Sequence, residues 1–225
     1  MARTHTPLTT WFWGAYLVSS MTPGMSAVQF QRQLGLTRYE TAFNILHKLR
    51  AGMVRQGRDR IGGNLARGDH VEIDETYIGG VTRGEGKGVH ADEKTLVCAA
   101  VEVRTRPAKK GDKPSNIIMP RKNNNLATPR RGGRYAGRLR LEIVPTRGAK
   151  SLTAFVEQAV EPGAMVITDA WGGYNSLGAR GYQHLPVVEA NDPKVAEEYL
   201  PIVHLVFSNL KAWLQGTHHG RVEPQ

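Results

Sequence analysis

The segment Val71–Gly80, with the sequence VEIDETYIGG, constrains the fold most, because it places an acid inside a strand pattern. Its β-branched and aromatic residues favour a strand, and the two closing glycines end it. Asp74 lies inside that strand, where an ionised carboxylate is seldom buried without a partner or a metal ion. A second apolar run, AMVITD, ends at Asp169. Two strands that each carry an aspartate suggest one metal site built from distant parts of the chain.

The charge of the chain favours a polyanionic partner. Lysine and arginine number 30 against 20 aspartate and glutamate residues, a net charge of +10. Such an excess indicates nucleic acid first and an anionic membrane second, with a merely basic protein as the alternative. The apolar share of 40% is ordinary for a chain of 225 residues that buries a core in one large domain or two small ones.

Cysteine content and the N-terminal sequence indicate the compartment. The single cysteine, Cys98, excludes an intramolecular disulfide and a cysteine-based zinc site. The most apolar N-terminal run, Trp11–Val18, is too short to span a bilayer and lacks the layout of a signal peptide. We therefore expect a cytoplasmic, nucleoid-associated protein with no membrane partner.

Residues 1–56 form a predicted helical DNA-binding region. Ser26 is a plausible N-cap of a short helix, Gly35 makes a turn, and Thr37 with Glu40 predicts a capping box on a longer helix that runs to about Met53. Helix, glycine-containing turn and helix is the helix-turn-helix pattern, although a plain αα-hairpin has the same signature. The expected DNA contacts on the second helix are Arg38, Tyr39, Asn44 and Lys48, with Arg50 beside them.

Residues 57–69 are polar and glycine-rich and suit a linker to a domain spanning 70–220. Inside that domain, residues 104–140 hold twelve lysines or arginines and one acid, with many proline, glycine and asparagine residues. Such a composition does not form a core by itself. It fits a solvated insertion or an arm that contacts phosphates. The arm interpretation assigns DNA contacts to Arg130, Arg131 and Arg134.

The predicted order of elements in residues 70–220 is β-β-β-α-β-α-β-α, which is the order of the RNase H-like fold. The fold class is therefore α/β, with a mixed sheet flanked by helices and preceded by the helix-turn-helix-like region. In that fold the first and fourth strands are neighbours, so Asp74 and Asp169 are expected to share divalent metal. Carboxylates suit Mg²⁺ or Mn²⁺, and two such ions about 4 Å apart can activate a water or a 3′-OH at a phosphodiester.

Three segments resemble the ISXO2-like group of bacterial insertion-sequence transposases, which are DDE-type enzymes with an RNase H-like core. They are Val71–Gly80, Thr168–Asn175 (TDAWGGYN) and Val203–Gly220 (VHLVFSNLKAWLQGTHHG). The resemblance implies a third catalytic position on the last helix, which varies among Glu, Asn and His in the group and is followed seven residues later by a basic residue.

His204 and Lys211 fit the implied spacing. Seven residues are about two helical turns, so both side chains project from one side of the helix. His204 is expected to ligate metal or shuttle a proton, as histidine suits both tasks. Lys211 is expected to hold a phosphate. Asn209 is the rival for the third position. The alternative to these roles is that His204 is only a surface residue of the helix and Lys211 only a solvated charge.

Four further residues near the two aspartates are expected to have structural rather than catalytic roles. Glu72 and Glu75 are expected to point to the face opposite Asp74, as surface or hydrogen-bonding residues rather than ligands. Trp171 and Tyr174 are suited to stacking on unpaired bases, but core packing is the preferred interpretation.

The resemblance implies an enzyme that binds its element's ends and target DNA, cleaves and then joins strands, and acts as a homodimer or larger assembly. Family members often begin with a cysteine-rich segment and continue past the His-Gly segment. This chain has neither feature, so we expect a C-terminally truncated form. Two alternatives remain open, a catalytically inactive remnant that only binds DNA and an RNase H-like nuclease that does not join.

Overall fold

A computed structural model describes residues 4–21, 23–54, 57–66, 68–79, 94–105, 134–188 and 199–218. These residues fall into two compact units. One contains the described parts of Met1–Arg58, Gly79–Glu93 and Ser208–Gln225, and the other consists of Asp59–Ile78 and the described parts of Lys94–Phe207. No helix among the described ranges is long and apolar enough to cross a membrane. The predicted contacts Arg130 and Arg131 lie outside these ranges.

The first unit contains three helices, α1 (Leu8–Ser20), α2 (Ala27–Gln33) and α3 (Tyr39–Met53). They share a small core that includes Trp11, Phe30, Ile45 and Leu46. The predicted cap of α2 is confirmed, because Gln29 N donates to Ser26 Oγ at 3.3 Å and Ser26 N donates to the Gln29 side chain at 3.1 Å. This reciprocal pair satisfies backbone donors that the helix itself leaves free.

The predicted capping box on α3 is wrong. The helix begins at Tyr39 with Arg38 at the N-cap position, and no side chain caps it. Thr37 therefore lies outside the helix. The turn before α3 keeps Gly35 at a φ of +62°, which a residue with a side chain rarely adopts.

The second unit is built on a five-stranded sheet in the order β3-β2-β1-β4-β5. The strands are β1 (His70–Ile78), β2 (Thr95–Thr105), β3 (Arg134–Ile143), β4 (Met165–Asp169) and β5 (Gln183–Val187). The β1–β2 and β2–β3 pairs are antiparallel, whereas β1–β4 and β4–β5 are parallel. The first and fourth strands are thus neighbours, as the RNase H-like order predicts.

Helices cover both faces of this sheet. On one face α4 (Ala149–Ala159) packs with Ile73 and Cys98, and on the other the start of α5 (Pro201–His218) packs with Val101 and Ile167. The central strands are therefore buried on both sides, which explains why β2 reads as a nearly continuous apolar run. The helix predicted between β4 and β5 is replaced by two short 3₁₀ turns, Gly172–Tyr174 and Gly178–Arg180.

The predicted linker contributes to the second unit. Ile61 is fully buried, forms a parallel bridge with Val160 and lies in the core under α4. The next residue, Gly62, donates its N–H to Glu102 Oε1 at 2.8 Å. The described residues of 59–69, most of the predicted linker, belong to the sheet unit in the structure.

Glu102 on β2 is a buried carboxylate surrounded by donors. Arg138 reaches it through Nε at 3.2 Å and Nη2 at 2.9 Å, and Arg104 through Nη2 at 3.1 Å. Burial alone would raise the pKa of Glu102, but the hydrogen bonds from Arg138, the Gly62 N–H and Arg104 lower it to about 2. Ionised Glu102 therefore stabilises the fold.

Glu102→Gln is expected to remove a pH-dependent part of the stability. Because the folded-state pKa lies below the ordinary value of 4.5, this contribution is present above pH 4.5 and is lost as the pH falls towards 2. The difference corresponds to at most about 3 kcal/mol. Urea unfolding at pH 7 and at pH 3 measures it, with Glu157→Gln on α4 as a matched control. Equal pH slopes for wild type and Glu102→Gln would contradict the assignment.

Candidate active site

The parallel pairing of β1 and β4 aligns the two aspartates. Val71 pairs with Val166 and Glu72 with Ile167, an offset of 95 residues in both cases. The same offset places Asp74, in the middle of β1, level with Asp169 at the carboxyl end of β4. Open α/β sheets bind ligands beside the carboxyl ends of their parallel strands.

Three carboxylates meet there. Asp74, Glu75 and Asp169 each offer an oxygen, and these oxygens lie within 4.8 Å of one another. Burial, followed by the charges of Glu75 and Asp74, raises the pKa of Asp169 to about 6. The cluster thus holds negative charge that a cation would neutralise. An all-oxygen donor set fits Mg²⁺ or Mn²⁺, so the residues present are compatible with the metal that the sequence predicts.

Glu75 is buried, and its two oxygens are already engaged. Tyr174 Oη donates to Oε2 at 2.5 Å, and Arg147 Nε donates to Oε1 at 2.5 Å. Although burial alone would lower the pKa of Arg147, the charge of Glu75 and its hydrogen bond raise it. The expectation of a hydrogen-bonding Glu75 is confirmed, but it is not a surface residue.

Arg147 was not identified from the sequence. It lies just before α4, and its Nη2 is also 3.8 Å from Asp169 Oδ2. Its neighbours in sequence carry no recognisable pattern, and its contacts with Glu75 and Asp169 span 72 and 22 residues. Only the folded chain brings this cation to the acidic cluster.

The prediction that Glu72 points to the face opposite Asp74 is wrong. Glu72 lies two residues before Asp74 and so shares its face, because strand side chains alternate. Glu72 is fully buried, and its Oε2 accepts the N–H groups of Ile202 and Val203 at 2.8 Å each. A carboxylate at a helix N-terminus satisfies free backbone donors and interacts favourably with the helix dipole. Glu72 therefore fixes the start of α5 against β1.

The anchored helix brings His204 to Asp74. His204 Nε2 lies 3.2 Å from Asp74 Oδ2, and the other Asp74 oxygen accepts the Glu75 N–H at 2.8 Å. Both residues are partly exposed, so solvent and ligands reach the pair. Asn209 and Lys211 are exposed further along α5, in the part of the helix that is grouped with the first unit.

The predicted DNA contacts have different surroundings. The exposed ones are Arg38, Tyr39, Asn44 and Lys48. Arg50 is partly buried instead, where its Nη2 donates to the Met25 carbonyl at 2.9 Å and its guanidinium lies 5.2 Å from the Trp213 ring centroid. Arg134 is also partly buried on β3, and burial lowers its pKa.

Trp171 and Tyr174 differ sharply in solvent exposure. Tyr174 is fully buried, as core packing predicts, and burial raises the pKa of its hydroxyl. Trp171 is 45% exposed and outside the cores formed by the described residues, so the core-packing expectation is wrong for it. The physical reason is its place on the short connection between Asp169 and the first 3₁₀ turn, at the rim of the sheet.

A mixed five-stranded sheet flanked by helices, with acids side by side on its adjacent parallel strands, defines an RNase H-like α/β domain. Residues 66–225 match the family model described as the ISXO2-like transposase domain. Because this match covers most of the chain, the protein belongs to the ISXO2-like transposase family. No curated protein and no solved structure matched the chain. Family membership implies DNA as a partner and an enzyme that cleaves and transfers it.

Proposed function

We propose that this protein is a DDE-type transposase that cleaves the ends of a mobile element and joins them to target DNA with the help of divalent metal. The observation that carries the proposal is the closeness of Asp74 and Asp169 on adjacent parallel strands, with His204 against Asp74. Family membership supplies DNA as the substrate.

Asp74 and Asp169 would hold Mg²⁺ or Mn²⁺, and we propose two ions. Bound metal would polarise the phosphodiester and stabilise the attacking and leaving oxygens. Glu75 is a weaker candidate ligand, because Tyr174 and Arg147 already occupy its oxygens. Its role in this proposal is to hold Arg147 beside Asp169, which limits the repulsion between the carboxylates before metal binds.

We assign proton transfer or metal ligation to His204 and phosphate binding to Lys211. His204 is placed to accept or return a proton beside Asp74, or to complete the ligand set. Lys211 would hold a phosphate of the bound strand. In the first step water attacks the phosphorus and the bond to the 3′ oxygen breaks, which releases a 3′-OH. That hydroxyl then attacks a target phosphodiester and forms a bond to its phosphorus, while the bond to the target strand's own 3′ oxygen breaks and leaves a 3′-OH. No covalent protein–DNA intermediate is required.

The test is strand cleavage and joining on DNA that carries the flanking sequence of this gene, with Mg²⁺ or Mn²⁺ and with EDTA as the control. Metal-dependent cleavage together with joined product supports the transposase. Cleavage without joining would identify a nuclease of the same fold. Binding without product under either metal would identify a protein that only binds DNA.

Replacing residues 107–132 with a short glycine-serine turn is expected to weaken DNA binding and flatten its salt dependence. Thr105 and Arg134 pair directly across β2 and β3, so a tight turn can join them without disturbing the sheet. The replaced stretch carries seven lysines or arginines and one aspartate. Each lost phosphate contact reduces the slope of log K against log salt by about 0.9. An unchanged slope in a salt titration would show that the segment does not touch DNA.

A further inference from the structure

Trp171 is an exposed aromatic side chain that lies two residues after Asp169 of the acidic cluster. Its backbone N–H donates to Asp169 Oδ1 at 3.3 Å, so ring and carboxylate belong to one short turn. With 45% of the side chain exposed, part of the ring is accessible to a ligand.

The ring is held in a fixed orientation. Its indole N–H donates to the Arg147 carbonyl at 3.0 Å, and the Arg147 guanidinium lies 4.5 Å from the ring centroid. Arg147 is in turn held by Glu75. The ring is thus ordered before any ligand arrives, which lowers the entropy cost of binding.

The chemistry of the exposed surface indicates a planar, apolar ligand that carries negative charge nearby. The only polar atom of the indole is already hydrogen-bonded, so the ring offers π surface and no further donor. The partly exposed guanidinium of Arg147 adjoins that surface. An aromatic ring beside a cation matches a nucleotide, whose base stacks and whose phosphate is anionic.

We propose that Trp171 is a stacking platform for one unpaired nucleobase next to the phosphodiester held at Asp74 and Asp169. Bases inside a duplex hide their faces, so only an unpaired or extruded base has a face to offer. The inference rests on the proposed function for the identity of the ligand. It adds that the site prefers DNA with an unpaired base at the reacting position.

The test measures binding rather than turnover. Full-length protein is titrated in Ca²⁺ with a forked duplex that carries 2-aminopurine at the unpaired position, and with the fully paired duplex of the same sequence. Wild type is expected to quench the 2-aminopurine fluorescence and to prefer the fork. Trp171→Ala is expected to bind the fork roughly 5- to 150-fold more weakly, the range for the loss of one stacked base, and to bind the paired duplex as wild type does.

Trp171→Phe separates stacking from a structural role. Both variants lose the indole hydrogen bond to Arg147, but only the phenylalanine keeps an aromatic ring. Quenching retained in Trp171→Phe and lost in Trp171→Ala supports the platform. Equal losses in both, or no quenching by wild type, would overturn it. Ile143→Ala, which removes an exposed apolar side chain at the end of β3, is the control for the loss of exposed apolar surface.

The same data distinguish failure of this inference from failure of the proposed function. If wild type cleaves DNA but Trp171→Ala retains the fork preference, the platform is overturned and the transposase stands. If wild type cleaves no DNA but Trp171-dependent quenching persists, the platform stands and the chemistry fails.

Discussion

Asp74→Asn and Asp169→Asn should each abolish metal-dependent strand cleavage. Metal held at these carboxylates would supply several kcal/mol of transition-state stabilisation, so losing one ligand is expected to lower the cleavage rate by roughly a thousandfold or more. Asparagine keeps the shape of the side chain and removes only its charge. Cleavage of end-labelled DNA in Mg²⁺ and in Mn²⁺, under single-turnover conditions, measures the effect.

Two measurements keep this result from being explained by unfolding. Asp169→Asn is expected to leave the metal-free fold as stable as wild type or about 1 to 2 kcal/mol more stable at pH 7. Burial and the neighbouring carboxylates raise the pKa of Asp169, so its ionised form is unfavourable there. DNA binding is expected to stay within a few-fold of wild type. Glu157→Gln, a half-exposed acid on α4, is the matched control for losing one negative charge.

Retained cleavage in either aspartate variant would contradict the metal assignment. Loss of cleavage accompanied by loss of DNA binding or of the folded state would place the aspartates in the architecture rather than in the chemistry.

His204→Ala should impair cleavage much more than Asn209→Ala. His204 touches Asp74 at 3.2 Å, whereas Asn209 is exposed on the part of α5 that is grouped with the other unit. A side chain that moves a proton in the transition state contributes about 100- to 10,000-fold. We therefore expect a loss of at least roughly a hundredfold for His204→Ala and less than about threefold for Asn209→Ala.

The pH dependence of the cleavage rate refines this result. A proton-transfer role for His204 makes the wild-type profile depend on the ionisation of the histidine, and His204→Ala would remove that dependence. His204→Glu and His204→Asn, the other residues that the resemblance implies for this position, test whether a metal ligand restores activity. Stronger impairment by Asn209→Ala than by His204→Ala would reverse the assignment of the third position.

The strand-borne aspartates were predictable from sequence because an acid inside an apolar strand pattern has few structural explanations. The strand order followed from the succession of elements, since the RNase H-like order brings β1 and β4 together. The Ser26 cap was equally accessible, as both of its partners lie within three residues of each other. The roles of Asp74, Asp169, His204 and Lys211 in DNA chemistry remain predictions.

Other features could not be predicted from the sequence, because they depend on residues that meet only in the folded chain. The face of Glu72 follows from strand alternation, but its burial does not, since the donors that explain the burial belong to Ile202 and Val203, 130 and 131 residues away. Arg147 carries no local pattern, yet it joins Glu75, Asp169 and Trp171.

Local periodicity and the chemistry of single residues thus determined which strands exist and which acids they carry. Tertiary structure alone decided which cation sits beside those acids, where α5 starts, and that Trp171 is exposed while Tyr174 is buried. The physical reason is that hydrogen bonding and burial over long sequence separations depend on the three-dimensional neighbours of a side chain, which its sequence neighbours do not reveal.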